Sequence, residues 1–105
     1  MQRGDVLALR LPQGVGHEQR GRRFGVVVQA DALLPRSLVL IAPTSRSAKP
    51  ASFRPEIDVD GERTRVLVEQ VGAVDVQRLG ALVSRLTAEE QWGLGAALLT
   101  VLGLD

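Results

Sequence analysis

A polar, arginine-rich segment runs directly into an apolar one between residues 16 and 29. Its first eight positions, residues 16–23, hold two glycines, the only histidine of the chain, a glutamate and three arginines. This mixture is too costly to bury without partners, so it should face solvent or a ligand. Arginine stays charged at neutral pH, and its planar fork of donors matches the oxygen atoms of a phosphate. The segment therefore predicts a site for an anion.

Arg23 is placed where this polar segment meets a predicted strand, residues 24–28. That run is uncharged, rich in valine and the length of one strand, so we expect it to be a core strand. A side chain at the end of a strand is positioned more accurately than one at the tip of a loop. Of the three arginines, Arg23 is therefore the one expected to meet the ligand.

A second polar stretch, residues 44–50, is small, polar and basic and predicts a second loop. It follows the apolar residues 38–42, which we expect to form a central strand buried on both faces. Pro43 is expected to end that strand. Thr44 would then present a hydroxyl donor at the end of the strand, where it can orient a bound group.

The other β elements are predicted from local patterns. Residues 6–11 form a short apolar strand, and residues 12–16 break it with one proline and two glycines. Residues 56–59 alternate charged and apolar side chains, and Asp60-Gly61 is a strong turn signal leading to residues 64–68, so a hairpin is expected. A strand over residues 71–74, a single helical turn over 75–80 and a last strand over 81–86 complete the sheet.

One long helix is predicted at the end of the chain. Thr87 and Glu90 have the spacing of a capping box. Leu94, Ala97, Leu98 and Val101 then form one apolar stripe, and Gly103 is placed to stop the helix. Short strands followed by one helix predict a mainly β (α+β) fold, a small antiparallel barrel with a helix packed against it, in one domain over residues 1–105.

The composition limits the possible cofactors and the location. The chain has no cysteine, which excludes disulfides and thiolate metal sites. One histidine and no clustered carboxylates leave no recognisable set of metal ligands, so no cofactor is expected. Residues 1–5 lack the apolar run of a signal peptide, and no stretch approaches membrane-spanning length, which favours a cytoplasmic protein.

The charge is nearly balanced overall but unevenly distributed. The chain has 13 basic and 12 acidic residues, which argues against a generic nucleic-acid binder. Residues 10–54, however, hold eight basic and two acidic residues, a net charge of +6, whereas the remainder carries −5. This split predicts one face that attracts a polyanion, such as RNA or an acidic peptide.

Five short motifs occur in order along the chain. They are Arg3-Gly4-Asp5-Val6, then Gly16-His17-Glu18-Gln19, then Gly21 and Arg23 ahead of three valines, then Pro43-Thr44-Ser45, then Glu69-Gln70-Val71 with Arg78-Leu79. In this order and spacing the chain resembles the MazF/PemK-type toxins of bacterial type II toxin-antitoxin modules. The resemblance implies an SH3-like barrel of the CcdB/PemK type with a C-terminal helix, a homodimer, and metal-independent, sequence-specific cleavage of single-stranded RNA restrained by a cognate antitoxin.

The resemblance also assigns site residues. The catalytic arginine of the family falls on Arg23, its catalytic threonine on Thr44 and its acidic loop residue on Glu18. The sequence departs from the family at Phe24, where a proline is usual, and at His17, where a serine is usual. RNA contacts are expected from seven residues: His17, Gln19, Arg20, Arg22, Ser45, Arg46 and Gln70.

Several alternatives stay open at the level of sequence. Either Glu18 or His17 could accept the proton of an RNA 2′-hydroxyl. Trp92 is expected to pack in the core or between copies of the chain rather than to stack on a base. Two other functions fit the same barrel, a nucleic-acid-binding module without cleavage and a CcdB-like topoisomerase inhibitor. An inhibitor that acts by protein contact needs neither Arg23 nor Thr44, so this pair favours the nuclease.

Overall fold

The computed structural model describes residues 1–10 and 23–105. In these residues the chain forms seven strands and one α-helix, joined by turns and short 3-10 segments. Their bounds are β1 Asp5–Leu9, β2 Phe24–Val27, β3 Leu38–Ser45, β4 Glu56–Val59, β5 Glu62–Val66, β6 Gly72–Asp75, β7 Leu79–Arg85 and α1 Ala88–Val101. The predicted loop over residues 12–16, and the predictions made for His17, Glu18, Gln19, Arg20 and Arg22, lie outside the described residues.

The strands form a curled antiparallel sheet in the order β4-β5-β3-β2-β1-β7, with β6 also paired to β3. Strand β3 is the longest: residues 38–41 pair with β6, residues 41–43 pair with β2, and Thr44 and Ser45 pair with β5. The sheet bends along β3 into a half-barrel, and α1 packs against it. The predicted mainly β barrel with one C-terminal helix is confirmed.

Apolar side chains are buried on both sides of the sheet. Because successive residues of a strand point to opposite faces, neighbouring Val26 and Val27 belong to different clusters. Val26 packs with Val6 and with Leu94 of α1, whereas Val27 packs with Ile41 on the other side. Strand β2 is therefore buried on both faces, as expected, and Arg23 precedes a rigid strand.

Two expectations for the third strand were wrong. The strand does not end at Pro43 but runs through it to Ser45. Proline lacks only a donor, and its carbonyl oxygen still accepts from the Leu67 amide at 2.8 Å, so the strand can continue. Nor is the strand buried on both faces, because Leu38 and Leu40 are 54% and 44% exposed, on a side where nothing in the described chain covers them.

The predicted hairpin and helix are present. Val59 pairs with Glu62 across a two-residue turn in which Asp60 and Gly61 have φ values of 52° and 83°. Helix α1 begins with the predicted capping box, in which Thr87 and Glu90 exchange hydrogen bonds of 2.9 and 3.1 Å. The carboxylate of Glu90 also accepts from the Asp58 amide, which ties the start of α1 to β4.

The buried face of the helix agrees with the apolar stripe predicted from the sequence. Leu94 and Ala97 are buried against the sheet, and Leu98 and Val101 pack partly on the same cluster. Trp92 is 82% exposed, so the interpretation that it packs in the core of the chain was wrong. No helix in the part of the chain that the structure describes is long and apolar enough to cross a membrane.

Candidate active site

Arg23 is fixed by the backbone but has a free side-chain donor. Its carbonyl oxygen accepts from the Leu9 amide at 2.9 Å, which holds the residue beside the end of β1. Its side chain is half-buried, and the Nε atom is buried without a hydrogen-bond partner among residues 1–10 and 23–105. A buried donor without an acceptor is costly, so this atom is suited to an acceptor supplied by a ligand.

Thr44 lies one strand away from Arg23, near the end of β3. Its hydroxyl donates to the Phe24 carbonyl oxygen across a long 3.4 Å contact, and the residue is only 4% exposed. In the β2–β3 register Gly25 is opposite Pro43, which brings Phe24 next to Thr44. The sheet register therefore brings together two residues that the sequence predicted to be catalytic.

A cleft of about 220 Å³ opens beside this pair. We call it the hydroxyl cleft, and its lining residues are Arg23, Phe24, Thr44, Ser45, Arg46, Ser47, Val59, Glu62 and Thr64. The hydroxyls of Ser45 and Ser47 are 3.4 Å apart, and Arg46 forms an ion pair with Glu62. Hydroxyl donors next to guanidinium groups can bind the oxygen atoms of a phosphate.

The loop between β3 and β4 carries one rim of the hydroxyl cleft and is fastened by two arginines. Arg54 donates from Nε and a terminal nitrogen to one carboxylate oxygen of Glu69, at 2.9 and 2.6 Å, and also to the Lys49 carbonyl. Arg65 donates to the Ala48 carbonyl at 3.0 Å. The hydrogen bond from Arg54 lowers the pKa of the Glu69 carboxyl below its ordinary value, against the opposing effect of burial.

Gln70 lies apart from the hydroxyl cleft. It lines a second concavity, of about 240 Å³, which we call the arginine pocket and which Arg10, Arg23, Gln70 and Arg78 share with apolar residues of β1, β3 and β6. Arg23 borders both concavities. Gln70, for which an RNA contact was predicted, makes no side-chain hydrogen bond within the described ranges.

The candidate site residues predicted from the sequence divide into three groups. Arg23, Thr44, Ser45 and Arg46 meet in the hydroxyl cleft, and Gln70 is next to Arg23 in the arginine pocket. His17, Glu18, Gln19, Arg20 and Arg22 lie outside the described residues. Sequence reasoning missed Ser47 and Thr64 in the cleft, and Arg10 and Arg78 in the pocket.

The charge split along the sequence is partly neutralised in three dimensions. Arg46 and Arg54, both from the basic segment, pair with Glu62 and Glu69 from the acidic one. The expected basic face is therefore smaller than the sequence suggested, and among the described residues it is concentrated around Arg23.

A comparison with known families identifies the family of this chain. A sequence profile of the PemK-like, MazF-like toxins of type II toxin-antitoxin systems matches residues 2–102. The chain belongs to this toxin family. A curated protein of Mycobacterium tuberculosis strain ATCC 25618 / H37Rv, Rv3098A, classed provisionally as a toxin, is 51% identical over 61 residues. That match spans 58% of this chain and 57% of the relative, so the chain covers little more than half of the relative's length.

Solved structures of other family members share the fold of this MazF-like chain. A mycobacterial endoribonuclease in complex with its cognate antitoxin superposes with a TM-score of 0.82 at 17% identity, covering 100% of this chain and 97% of that one. The M. tuberculosis toxin MazF-mt6 superposes with a TM-score of 0.79 at 16% identity, covering 96% of this chain and 98% of that one. MazF from Deinococcus radiodurans superposes with a TM-score of 0.79 at 24% identity, covering 98% of this chain and 96% of that one. The SH3-like barrel inferred from the resemblance is thereby confirmed.

Proposed function

We propose that this chain is an endoribonuclease toxin that cuts single-stranded RNA at particular sequences without a metal ion. The observation that carries the proposal is the buried Nε of Arg23, which has no hydrogen-bond partner among the described residues and lies next to the hydroxyl of Thr44 in an open cleft. Membership of a toxin family supports it, as does the structural neighbour described as an endoribonuclease bound to its antitoxin. We further propose that the protein acts in the cytoplasm, as a single domain and as a homodimer.

The proposed reaction is an internal displacement at phosphorus. The 2′-oxygen of the RNA attacks the adjacent phosphorus atom and forms a new P–O bond, while the bond from phosphorus to the 5′-oxygen breaks. Glu18 or His17 takes the proton of the 2′-hydroxyl, an assignment that rests on the sequence. The 5′-oxygen leaves with a proton from solvent or Arg23, and the products are a 2′,3′-cyclic phosphate and a 5′-hydroxyl.

Arg23 is assigned to the negative charge that grows on the phosphate oxygens during attack. A guanidinium keeps its proton at neutral pH, so its main contribution is electrostatic. Its carbonyl is held by Leu9, and the following strand is buried on both faces, so the donor is preorganised. The hydroxyl of Thr44 can rotate from the long contact with Phe24 towards a phosphate oxygen, which makes it an orienting donor.

Ser45 and Arg46 are assigned to the RNA backbone at the rim of the hydroxyl cleft. The ion pair of Arg46 with Glu62 is mostly exposed, with side-chain exposures of 69% and 61%. Exposed pairs of this kind contribute little stability, so a phosphate can replace Glu62 as the partner of Arg46. RNA binding through this residue should therefore weaken as salt is added.

The partner proposed for this surface is an acidic antitoxin segment. The arginines around Arg23 that form no ion pair with another described residue attract any polyanion, so such a segment and RNA should exclude one another. Simultaneous binding of both without mutual effect would contradict a shared surface.

The test of the proposed function is cleavage of a long RNA by purified protein in EDTA, with mapping of the new ends. We expect a few defined sites, each with a 2′,3′-cyclic phosphate on one side. A substrate with 2′-deoxyribose at the mapped position should resist cutting, because it lacks the attacking oxygen. Robust cutting of that deoxy substrate excludes the displacement mechanism, and intact RNA with bound protein indicates the non-cleaving module instead.

A further inference from the structure

The arginine pocket is built by strand pairing rather than by a flexible loop. The Arg10 amide donates to the Arg78 carbonyl at 2.7 Å, next to the pairing of Leu9 with Leu79 between β1 and β7. The Leu9 amide in turn binds the Arg23 carbonyl. Three arginine residues are thus joined by backbone hydrogen bonds at one end of the sheet, and all three line the pocket.

The charges of this pocket have no counter-ions among the described residues. Arg10, Arg23 and Arg78 form no ion pair there, although five other arginines each pair with a carboxylate: Arg46, Arg54, Arg63, Arg65 and Arg85. Like charges brought together without partners repel one another, although solvent weakens the repulsion between the exposed Arg10 and Arg78. An anionic ligand at this position would relieve the repulsion, and an RNA phosphate has the charge and the oxygen geometry for a guanidinium.

The rest of the lining is suited to a base rather than to a second phosphate. Leu9, Pro43 and Val74 present apolar surface above the buried Ile41, and Gln70 presents an amide with no partner in the described part of the chain. An unstacked base offers an apolar face and an edge of donors and acceptors, and a glutamine amide can form two hydrogen bonds to such an edge. The pocket volume of about 240 Å³ is below the roughly 300 Å³ typical of larger ligands, so it suits one nucleotide.

We infer that the arginine pocket binds the nucleotide next to the scissile phosphate and reads its base through Gln70, with Arg10 and Arg78 on the adjoining phosphate. Arg23 borders both concavities, so the RNA passes over it from the hydroxyl cleft into this pocket. The inference rests on the proposed function and adds the residues that determine which RNA sequence is cut. An acidic peptide is the other polyanion that could occupy the site, but it has no use for the apolar lining beside a free amide.

The first test is base preference. RNAs carrying each of the four bases at every position around the mapped cleavage site are cut by the wild type and by Gln70→Ala, and kcat/KM is compared. We expect Gln70→Ala to reduce discrimination at one flanking position by about tenfold or more and to leave the other positions unchanged. Unaltered preference at every position, with cleavage intact, overturns the inference and leaves the proposed function standing.

The second test is binding, and it works even if no cleavage is seen. Arg10→Gln and Arg78→Gln are compared with Arg63→Gln, which removes the same charge from the exposed β4–β5 hairpin. With an oligonucleotide that has 2′-deoxyribose at the mapped position, or a mixed-sequence single strand if no site is found, each pocket variant should weaken binding several-fold. Each should also reduce the salt slope by about 0.7, as for loss of one contact to a single strand.

The occupant is identified by competition. If the arginine variants bind RNA like Arg63→Gln but lose affinity for a poly-glutamate peptide, the pocket serves an acidic protein segment and the inference is wrong. Loss of RNA affinity supports it, with or without a parallel loss of poly-glutamate binding, because the acidic segment is proposed to share the surface around Arg23. Unfolding temperatures of all variants are measured alongside, and these exposed residues are expected to leave them close to the wild type.

Discussion

The hydroxyl of Thr44 hydrogen-bonds the carbonyl of Phe24, the residue that follows Arg23. The contact joins β3 to β2 at the point where the cleft opens, so the two proposed catalytic residues are positioned by strand register rather than by a loop. A change that shifts β3 relative to β2 should therefore damage cleavage even when no side chain of the cleft is altered.

Arg23→Ala is expected to reduce the single-turnover cleavage rate by about 10²-fold or more, the usual effect of losing one preorganised donor to a developing charge. Binding of an uncleavable deoxy substrate should fall far less. Arg23→Lys should restore activity only in part, because an ammonium cannot reproduce the two-pronged contact. Full activity in Arg23→Ala contradicts the assigned role.

Substitutions of Thr44 separate the hydroxyl from the packing. Thr44→Val keeps the buried shape and removes the donor, so it should slow cleavage, though less than Arg23→Ala does. Thr44→Ser keeps the donor and should retain most of the rate. The cleavage rates of the wild type and both variants are measured at saturating RNA, with the unfolding temperature as the control for folding. Equal rates for the valine and serine variants would show that the hydroxyl takes no part.

The Arg54–Glu69 pair predicts a specific dependence of stability on pH. The pKa of Glu69 is lowered in the folded state, so its carboxylate stabilises the fold above the unfolded pKa of about 4.5. That contribution is lost as pH falls through the lowered pKa. In Glu69→Gln the free energy of unfolding should be lower near pH 7 by about 1 kcal/mol or more. The difference from wild type should shrink in acid, as followed by urea unfolding from pH 7 to pH 3.

The exposed pair of Arg63 and Glu56 provides the matched control for that measurement. Glu56→Gln removes a carboxylate that pairs with Arg63 and Arg65 at the surface of the hairpin, whereas Glu69, within the described part of the chain, pairs with Arg54 alone. Its effect near pH 7 should be smaller, since exposed pairs are weak. If both variants behave alike, the loop is not fastened by Glu69.

A homodimer is expected, because an 11.3 kDa barrel has a small core and its helix leaves apolar residues uncovered. Trp92, Leu99 and Leu102 of this helix region are exposed together. Sedimentation at micromolar concentration should give twice the chain mass, and Leu102→Glu should weaken association by about tenfold or more. Leu33→Glu, at an exposed leucine elsewhere, is the control. A wild-type mass equal to that of a single chain would contradict this prediction.

Local signals in the sequence were sufficient for much of the fold. The Asp60-Gly61 turn, the Thr87 cap and the valine run after Arg23 each depend on neighbouring residues, and each is where the pattern placed it. Contacts between distant residues were not predictable. Nothing local links Arg54 to Glu69, or Arg10 to Arg78, because strand pairing alone brings them together.

The two errors in β3 both concern neighbours that the sequence does not show. An apolar run does not reveal whether a second layer will cover its outer face, so the exposure of Leu38 and Leu40 was missed. Pro43 was predicted to end the strand because its lack of an amide donor is visible in the sequence. The sequence does not show that the neighbouring Leu67 amide needs only the Pro43 carbonyl oxygen as its acceptor.

The pairing of β1 with β7 determines how late in synthesis the sheet is completed. Asp5 pairs with Arg85, and the Leu86 amide donates to the Gly4 carbonyl. Strand β1 therefore completes its pairing only after residues near the end of the chain have been synthesised. On a ribosome, Arg23 and Thr44 emerge early, while the sheet edge beside them is still open. The arginine pocket, which includes Arg78 next to β7, therefore takes its final form only when β7 has been translated, so the cleavage proposed for this chain would begin only after most of its own messenger has been read.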